Sequence, residues 1–357
     1  VIHVLIVDDS PVVQEFLRSI LSSDEEIRVI ASAADGEQAV RMVQKLKPDV
    51  VTMDIHMPKM DGFMATRKIM ETSPVPIVIV SGSYDPGEVH KSFLAMEAGA
   101  LAILPKPRGY GHPGQEQDAK ELIQTVRLMA EVKVVKRWSR YVSAASTPRP
   151  HGGSPRKQHP ASITLVAIGA STGGPPVLQT ILSNLPDDFP PSLAVVQHIS
   201  PGFVQGLVDW LQQSTNRPIH IGTHGQRLVP GHVYFAPDGH HMGITSDRTV
   251  SLTREPPENG LRPSVSHLFR SVLQNFGSRA VGVLLTGMGE DGAKELKSMK
   301  DQGAVTLVQD QESSVVHGMP GKAIKLGAAL HVLPPEGIAR LLRELVQSTS
   351  RHITRDK

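Results

Sequence analysis

Cysteine is absent from the 357 residues, which excludes disulfides, thiolate zinc sites, iron–sulfur clusters and a cysteine nucleophile together. Aromatic residues reach only 4%, so Val, Ile, Leu, Met and Ala must build the cores. No apolar run approaches the roughly 20 residues of a membrane span, and no membrane insertion is expected. A dominant charge sign is missing as well. The 37 Lys and Arg against 35 Asp and Glu give a net charge of +2, without the basic footprint of a nucleic-acid binder. The opening Val1 to Val7 carries no basic leader and runs into Asp8-Asp9, so it reads as a first strand, and a cytoplasmic location is the expectation.

What is present has a globular balance, 39% hydrophobic and 20% charged, at a length suited to two or three domains. Short β-branched runs (Val4 to Val7, Val29 to Ala31, Val50 to Met53, Ile77 to Val80, Leu101 to Leu104) alternate with helical patterns such as Val12, Val13, Phe16, Leu17, Ile20 and Leu21. That alternation predicts a parallel sheet covered on both faces, closed by a helix over Ala119 to Val132. From Lys133 to Pro160 there are seven basic residues and no acidic one, with Ser, Pro, Gly and His filling the later half, which is linker composition. Strand–helix alternation restarts at Ile163 to Ile168 and continues through Leu193 to Val196, Val281 to Leu285 and Val305 to Val308. A β-rich insert is expected at His232 to Phe235, His241 to Ile244 and Thr249 to Leu252, and a tail helix at Glu336 to Val346. The expected organisation is two doubly wound α/β domains, at 1–128 and 161–350, joined by a flexible basic linker at 129–160.

Two sets of residues carry chemistry. Asp8 and Asp9 follow the first strand, Asp54 the third, Ser81 ends the fourth and Lys106 the fifth, so all five converge where parallel sheets gather their sites. Three carboxylates in one crevice repel unless a hard cation sits among them, and Mg²⁺ suits oxygen ligands. Asp54 is then placed as a nucleophile toward a phosphoryl group, with Ser81 and Lys106 holding its oxygens. Pro107 fixes the loop after Lys106 and admits a cis bond. Val7-Asp8-Asp9-Ser10, the run Met53 to Gly62, Val80-Ser81-Gly82 and Pro105-Lys106-Pro107 resemble the response-regulator receiver domain. The resemblance implies Asp54 as phosphoacceptor, Mg²⁺ on Asp8, Asp9 and Asp54, and a histidine kinase as phosphodonor. Ile103 stands where such domains often carry an aromatic switch residue.

In the second half, Gly169-Ala170-Ser171-Thr172-Gly173 fits the G-x-S-x-G elbow of a nucleophilic serine. The same turn also suits an anion on a helix N-terminus, although the G-x-G-x-x-G of a dinucleotide site is absent. His198 and Asp291 follow other strands, which gives a base and an orienting acid, with Thr172 and Met288 N–H groups as an oxyanion site. His240, His241 and His267 compete for the base, and Glu290 for the acid. Adjacent strand residues point to opposite faces, so joint metal ligation by His240 and His241 is not expected. The order Ser, His, Asp differs from that of lipases and esterases.

Gly169 to Gly174, Gln197 to Phe203, Arg262 to Val265, Thr286 to Ala293 and His317 to Pro320, in that order, resemble the catalytic domain of the chemotaxis protein-glutamate methylesterases. The resemblance implies a Ser171–His198–Asp291 triad, demethylation and deamidation of methyl-accepting chemotaxis receptors, and no cofactor for the hydrolysis. Ser266 and His317 replace residues usual in that family, and both are expected to stay off the triad.

Overall fold

The computed structural model describes residues 1–82, 86–132, 134 and 163–353, so nearly all of the expected linker at 129–160 lies outside the described residues. The first unit alternates β1 (Ile2–Val7), α1 (Pro11–Leu21), β2 (Ile27–Ala33), α2 (Gly36–Leu46), β3 (Val50–Met53), α3 (Gly62–Thr72), β4 (Ile77–Ser81), α4 (Pro86–Ala98), β5 (Ala102–Pro105) and α5 (Gln115–Ala130). Its five strands are parallel in the order β2-β1-β3-β4-β5. Strands β3 and β4 are buried at every position, as expected of strands covered by helices on both faces. α1 starts on Ser10, whose hydroxyl accepts from Val13 N–H, with Pro11 in the first turn, and it buries Leu17, Ile20 and Leu21. Such a cap contributes about 1 kcal/mol.

The second unit comprises β6 (Leu165–Ala170), α6 (Gly174–Ser183), β7 (Ser192–Gln197), α7 (Val204–Thr215), β8 (Ile219–Ile221), β9 (Val233–Phe235), β10 (His241–Ile244), β11 (Val250–Thr253), α8 (Val265–Phe276), β12 (Ala280–Leu284), α9 (Ala293–Asp301), β13 (Val305–Gln309), α10 (Gly318–Lys325), β14 (His331–Leu333) and α11 (Pro335–Ile353). Seven strands form one parallel sheet, β14-β13-β12-β6-β7-β9-β8. The β-rich insert is smaller than the sequence pattern suggests. β9 is no part of an insert: it lies parallel between β7 and β8, fully buried, and only β10 and β11 form a separate antiparallel hairpin. β8 and β14 escaped the pattern because each is three residues long, too short to display a period.

Helix α4 of the first unit packs against α6 and α7 of the second. Phe93 stacks on Trp210 with ring centroids 5.6 Å apart, and both side chains are fully buried. The approach is so close that a Cβ on Gly206 would lie 2.2 Å from a Val89 methyl carbon, so the contact requires glycine there. Val315 and Val316 from the second unit pack on the first unit's core, and Ile103 packs against the joint core and its own. Among the described residues no helix is long and apolar enough to cross a membrane.

Candidate active site and phosphoacceptor pocket

The parallel register delivers the first pocket. β1 and β3 end side by side with Val7 opposite Met53, so Asp8 and Asp54 leave neighbouring strands at one edge. Ser81 and Lys106 close β4 and β5, joined by Lys106 N–H donating to the Ser81 carbonyl at 2.8 Å. Carboxylate oxygens of Asp8, Asp9 and Asp54 lie within 4.8 Å of one another, with Asp8 and Asp54 buried. Lys106 Nζ sits 2.7 Å from Asp8 Oδ2 and 2.9 Å from Asp54 Oδ2. Burial pushes the Asp54 carboxyl above the ordinary aspartate range despite the Lys106 charge, and Asp8 adds to the push. Burial opposes the Lys106 charge too, but the two carboxylates outweigh it and hold its pKa above the usual lysine value. The Ser81 hydroxyl is buried with no hydrogen-bond partner, an orphan that a bound phosphoryl oxygen would satisfy. Three hard oxygen donors and this orphan fit Mg²⁺ and a phosphoryl group. The peptide bond before Pro107 is trans.

The second site is built the same way. Ala170 on β6 pairs with Gln197 on β7, so Ser171 and His198 are the next residues along adjacent strands. Gln197 binds them together: its Nε2 donates at 2.8 Å to the carbonyls of both Ser171 and His198. Gly287 lies against the serine, where a Cβ would come within 2.5 Å of Ser171 Cβ, so the turn after β12 can close on Ser171 only with glycine. His198 Nε2 lies 3.0 Å from Asp291 Oδ2, and Asp291 is buried.

Asp291 is held from every side. Its Oδ2 accepts from Val265 N–H at 2.7 Å, and its Oδ1 accepts from Ser266 N–H and Ser264 Oγ, each at 3.0 Å. Burial opposes its charge, yet hydrogen bonds from His198, Ser266 and Val265 prevail and keep the carboxyl well below the usual aspartate range. The donors come from the N-terminus of α8, which Ser264 caps, so a helix end holds an anion. With Nε2–H given to Asp291, Nδ1 is the imidazole nitrogen left to accept a proton. Thr172 and Met288 N–H groups have no hydrogen-bond partner among the described residues, as an oxyanion site requires.

The competing residues have other partners. Glu290 is exposed and pairs with Lys322 at 2.5 Å. His240 bonds Asp238 and Arg254, while His241 and His267 stack on each other near Glu258. One expectation fails: Ser266 touches a member of the expected triad, through its N–H to Asp291, and its Oγ accepts from Gly292 N–H at 2.9 Å. His317 forms a parallel bridge with Gly287 and so borders the same turn. Sequence reasoning missed Gln197, Ser264 and the Val265 N–H. Ser264 carried a signal, a serine directly before an amphipathic helix.

Comparison with known proteins gives a family for each unit. Residues 166–342 match the CheB methylesterase family and residues 4–111 the response regulator receiver domain. A protein-glutamate methylesterase/protein-glutamine glutaminase of Geobacter metallireducens is 57% identical over 96% of this chain and 99% of its own. One from Nitrosospira multiformis is 54% identical over 97% of each. The crystal structure of the Thermotoga maritima CheB methylesterase catalytic domain superposes with a TM-score of 0.51 at 36% identity, covering 52% of this chain and all of that one.

Proposed function

The chain belongs to the CheB methylesterase family with a response-regulator receiver attached, and from that membership we propose a phosphorylation-activated serine hydrolase that removes methyl groups from glutamate γ-esters on chemoreceptors and deamidates receptor glutamines. The observation that carries the reading is the pair of His198 and buried Asp291 at 3.0 Å, with Ser171 following the strand next to that of His198. Ser171 Oγ attacks the γ-carbonyl carbon as His198 Nδ1 takes its proton. The oxyanion is held by the N–H groups of Thr172 and Met288. Collapse expels methanol, which takes the proton from His198, and leaves a glutamyl ester on Ser171. A water molecule, deprotonated by His198, then attacks that ester, releasing glutamate and restoring the serine. With glutamine, ammonia leaves in place of methanol. Asp291 stays charged and orients the imidazole throughout.

The receiver runs to the end of α5 at Ala130, two residues past the expected boundary at 128, because α5 buries Met129 in the receiver core. The linker follows to 160 and the hydrolase spans 161–350. Asp54 takes a phosphoryl group from the chemotaxis histidine kinase: its carboxylate oxygen bonds to phosphorus as the donor's bond to phosphorus breaks. Asp8, Asp9 and Asp54 would hold Mg²⁺, which neutralises phosphoryl oxygens when bound, and Lys106 and Ser81 contact those oxygens. Control passes through the packing of α4 on α7 and of Val315, which touches the receiver core and lies against Gly173, two residues from the nucleophile. On this reading the enzyme acts in the cytoplasm, on the cytoplasmic helices of the receptors.

The test is methanol release from methyl-labelled receptor membranes by the full chain and by Ser171→Ala. Loss in the variant with Asp54 phosphorylation intact supports the reading. Release that persists within a few-fold removes Ser171 as nucleophile.

A further inference from the structure

On the far side of Ser264 from Asp291 lies a second cluster that the hydrolysis does not use. One nitrogen each of His241 and His267 and one Glu258 oxygen lie within 4.8 Å of one another. His241 sits on β10, His267 on α8 and Glu258 in the loop between β11 and α8, so three separate segments converge.

His241 is completely buried. Its Nε2 lies 3.2 Å from the Pro256 carbonyl, an acceptor only, so this nitrogen carries the proton. Nδ1 therefore keeps a lone pair, and it is buried without any partner. Histidines that bind metals commonly donate their other N–H to a backbone carbonyl, which fixes the tautomer and raises basicity. Thr253, the register partner of His241 on β11, buries an unpartnered hydroxyl as well. Buried polar atoms are normally satisfied, so two orphans in one cross-strand pair point to a missing partner.

The spacing agrees. His267 Nδ1 lies 3.5 Å from Glu258 Oε1, and the pair forms no hydrogen bond. Two ligands at about 2.0–2.2 Å from a tetrahedral ion stand roughly 3.3–3.6 Å apart. Glu258 also pairs with Arg270, but Arg270 has a second carboxylate in Glu295 at 3.2 Å and can release the first. His267 and Glu258 remain 18% and 26% exposed in their side chains, which leaves an entry path and an open coordination position.

We propose that His241, His267 and Glu258 bind a divalent transition-metal ion, Zn²⁺ foremost. Two imidazoles and one carboxylate favour such an ion over Mg²⁺, which prefers an all-oxygen shell and has one in the acidic pocket of the receiver. The site adjoins the catalytic acid, because Ser264 Oγ lies 3.4 Å from Glu258 Oε2 and 3.0 Å from Asp291 Oδ1. Metal on Glu258 would draw that carboxylate from Ser264 and leave the hydroxyl to Asp291 alone.

The experiment uses the untagged full-length protein, stripped of metal and held in millimolar Mg²⁺ so that the receiver pocket is filled. Zn²⁺ uptake is followed by calorimetry and elemental analysis in wild type, His267→Gln, Glu258→Gln and His232→Gln. The last alters another close histidine pair, His220–His232 at 2.9 Å. The expected result is one Zn²⁺ per chain, bound at least about tenfold more weakly in both cluster variants and unchanged in His232→Gln. Wild-type protein loaded with Co²⁺ should show the intense visible bands of a tetrahedral site, a readout that needs no variant to fold. No saturable uptake, uptake that neither cluster variant weakens, loss confined to His232→Gln, or weak octahedral Co²⁺ bands would each overturn the proposal.

Discussion

Asp54 and Asp291 are both buried aspartates, one directly after β3 and the other in the loop between β12 and α9, and their environments push them in opposite directions. Asp54 is left short of partners: burial and the neighbouring Asp8 raise its pKa, and Lys106 compensates only in part. Asp291 is burdened by burial as well, but four hydrogen bonds from His198, Val265, Ser264 and Ser266 more than offset it. An undersupplied carboxylate suits a group that must bond to an incoming phosphorus. A saturated one suits a group that must stay charged and still while a neighbour reacts.

Of the two carboxylates, the saturated one should give the larger effect. Asp291→Asn should lower methanol release by about 10⁴-fold, short of the roughly 10⁶-fold expected for Ser171→Ala. Glu290→Ala should stay within a few-fold. If Glu290→Ala proves the more damaging, the orienting acid is misassigned. Next comes the undersupplied site. Asp54→Asn should keep basal activity but show no stimulation by phosphodonor, whereas wild type should gain on the order of 5- to 150-fold, the usual range of coupling between sites. A stimulated Asp54→Asn enzyme would place the phosphoacceptor elsewhere. A smaller effect is expected at the junction. Gly206→Val cannot coexist with Val89 in its present position, so the unphosphorylated variant should rise a few-fold toward the activity of a fragment beginning near Ser162. Unchanged basal activity would mean the α4–α7 contact does not restrain the hydrolase.

The smallest effect, a few degrees in Tm, tests the comparison by sign. A raised pKa costs stability once pH exceeds the unfolded value of about 3.9, and the cost is complete above the folded value. A lowered pKa adds stability above the unfolded value, and loses it only as pH falls through the folded one. In chelator at pH 7, Asp54→Asn should therefore melt higher than wild type and Asp291→Asn lower. Near pH 4 the first difference should have nearly vanished while most of the second persists. Shifts of equal sign in thermal melts would mean that the two carboxylates are not held differently.

Much of this was legible in the residues. Asp8, Asp54, Lys106, Ser171 and His198 each stand at or just beyond the end of an apolar run, because a parallel sheet gathers its sites beyond strand ends and leaves a sharp change of composition there, while Asp291 lies farther on in the glycine-rich loop after β12. The supports were harder to read. Val265 and Ser266 act on Asp291 through backbone N–H groups, which every residue but proline carries, so residue type says nothing of their role. Gln197 looks like any polar residue ending a strand until its amide is seen between two carbonyls. β9 joined the wrong layer because three apolar residues name no neighbour. The α4–α7 junction was invisible for a related reason: an apolar helix face reads alike whether it covers its own sheet or another unit.

The Phe93–Trp210 stack has an optical consequence. The sequence holds only two tryptophans, Trp138 and Trp210, and Trp210 is 1% exposed with its indole N–H unpartnered. Removing Trp138 by substitution with phenylalanine leaves a single indole, buried between the two units. Its emission then reports the wetness of that junction directly, blue while α4 stays docked and red once water reaches the ring. The molecule carries its own dye at the seam where phosphorylation and hydrolysis meet.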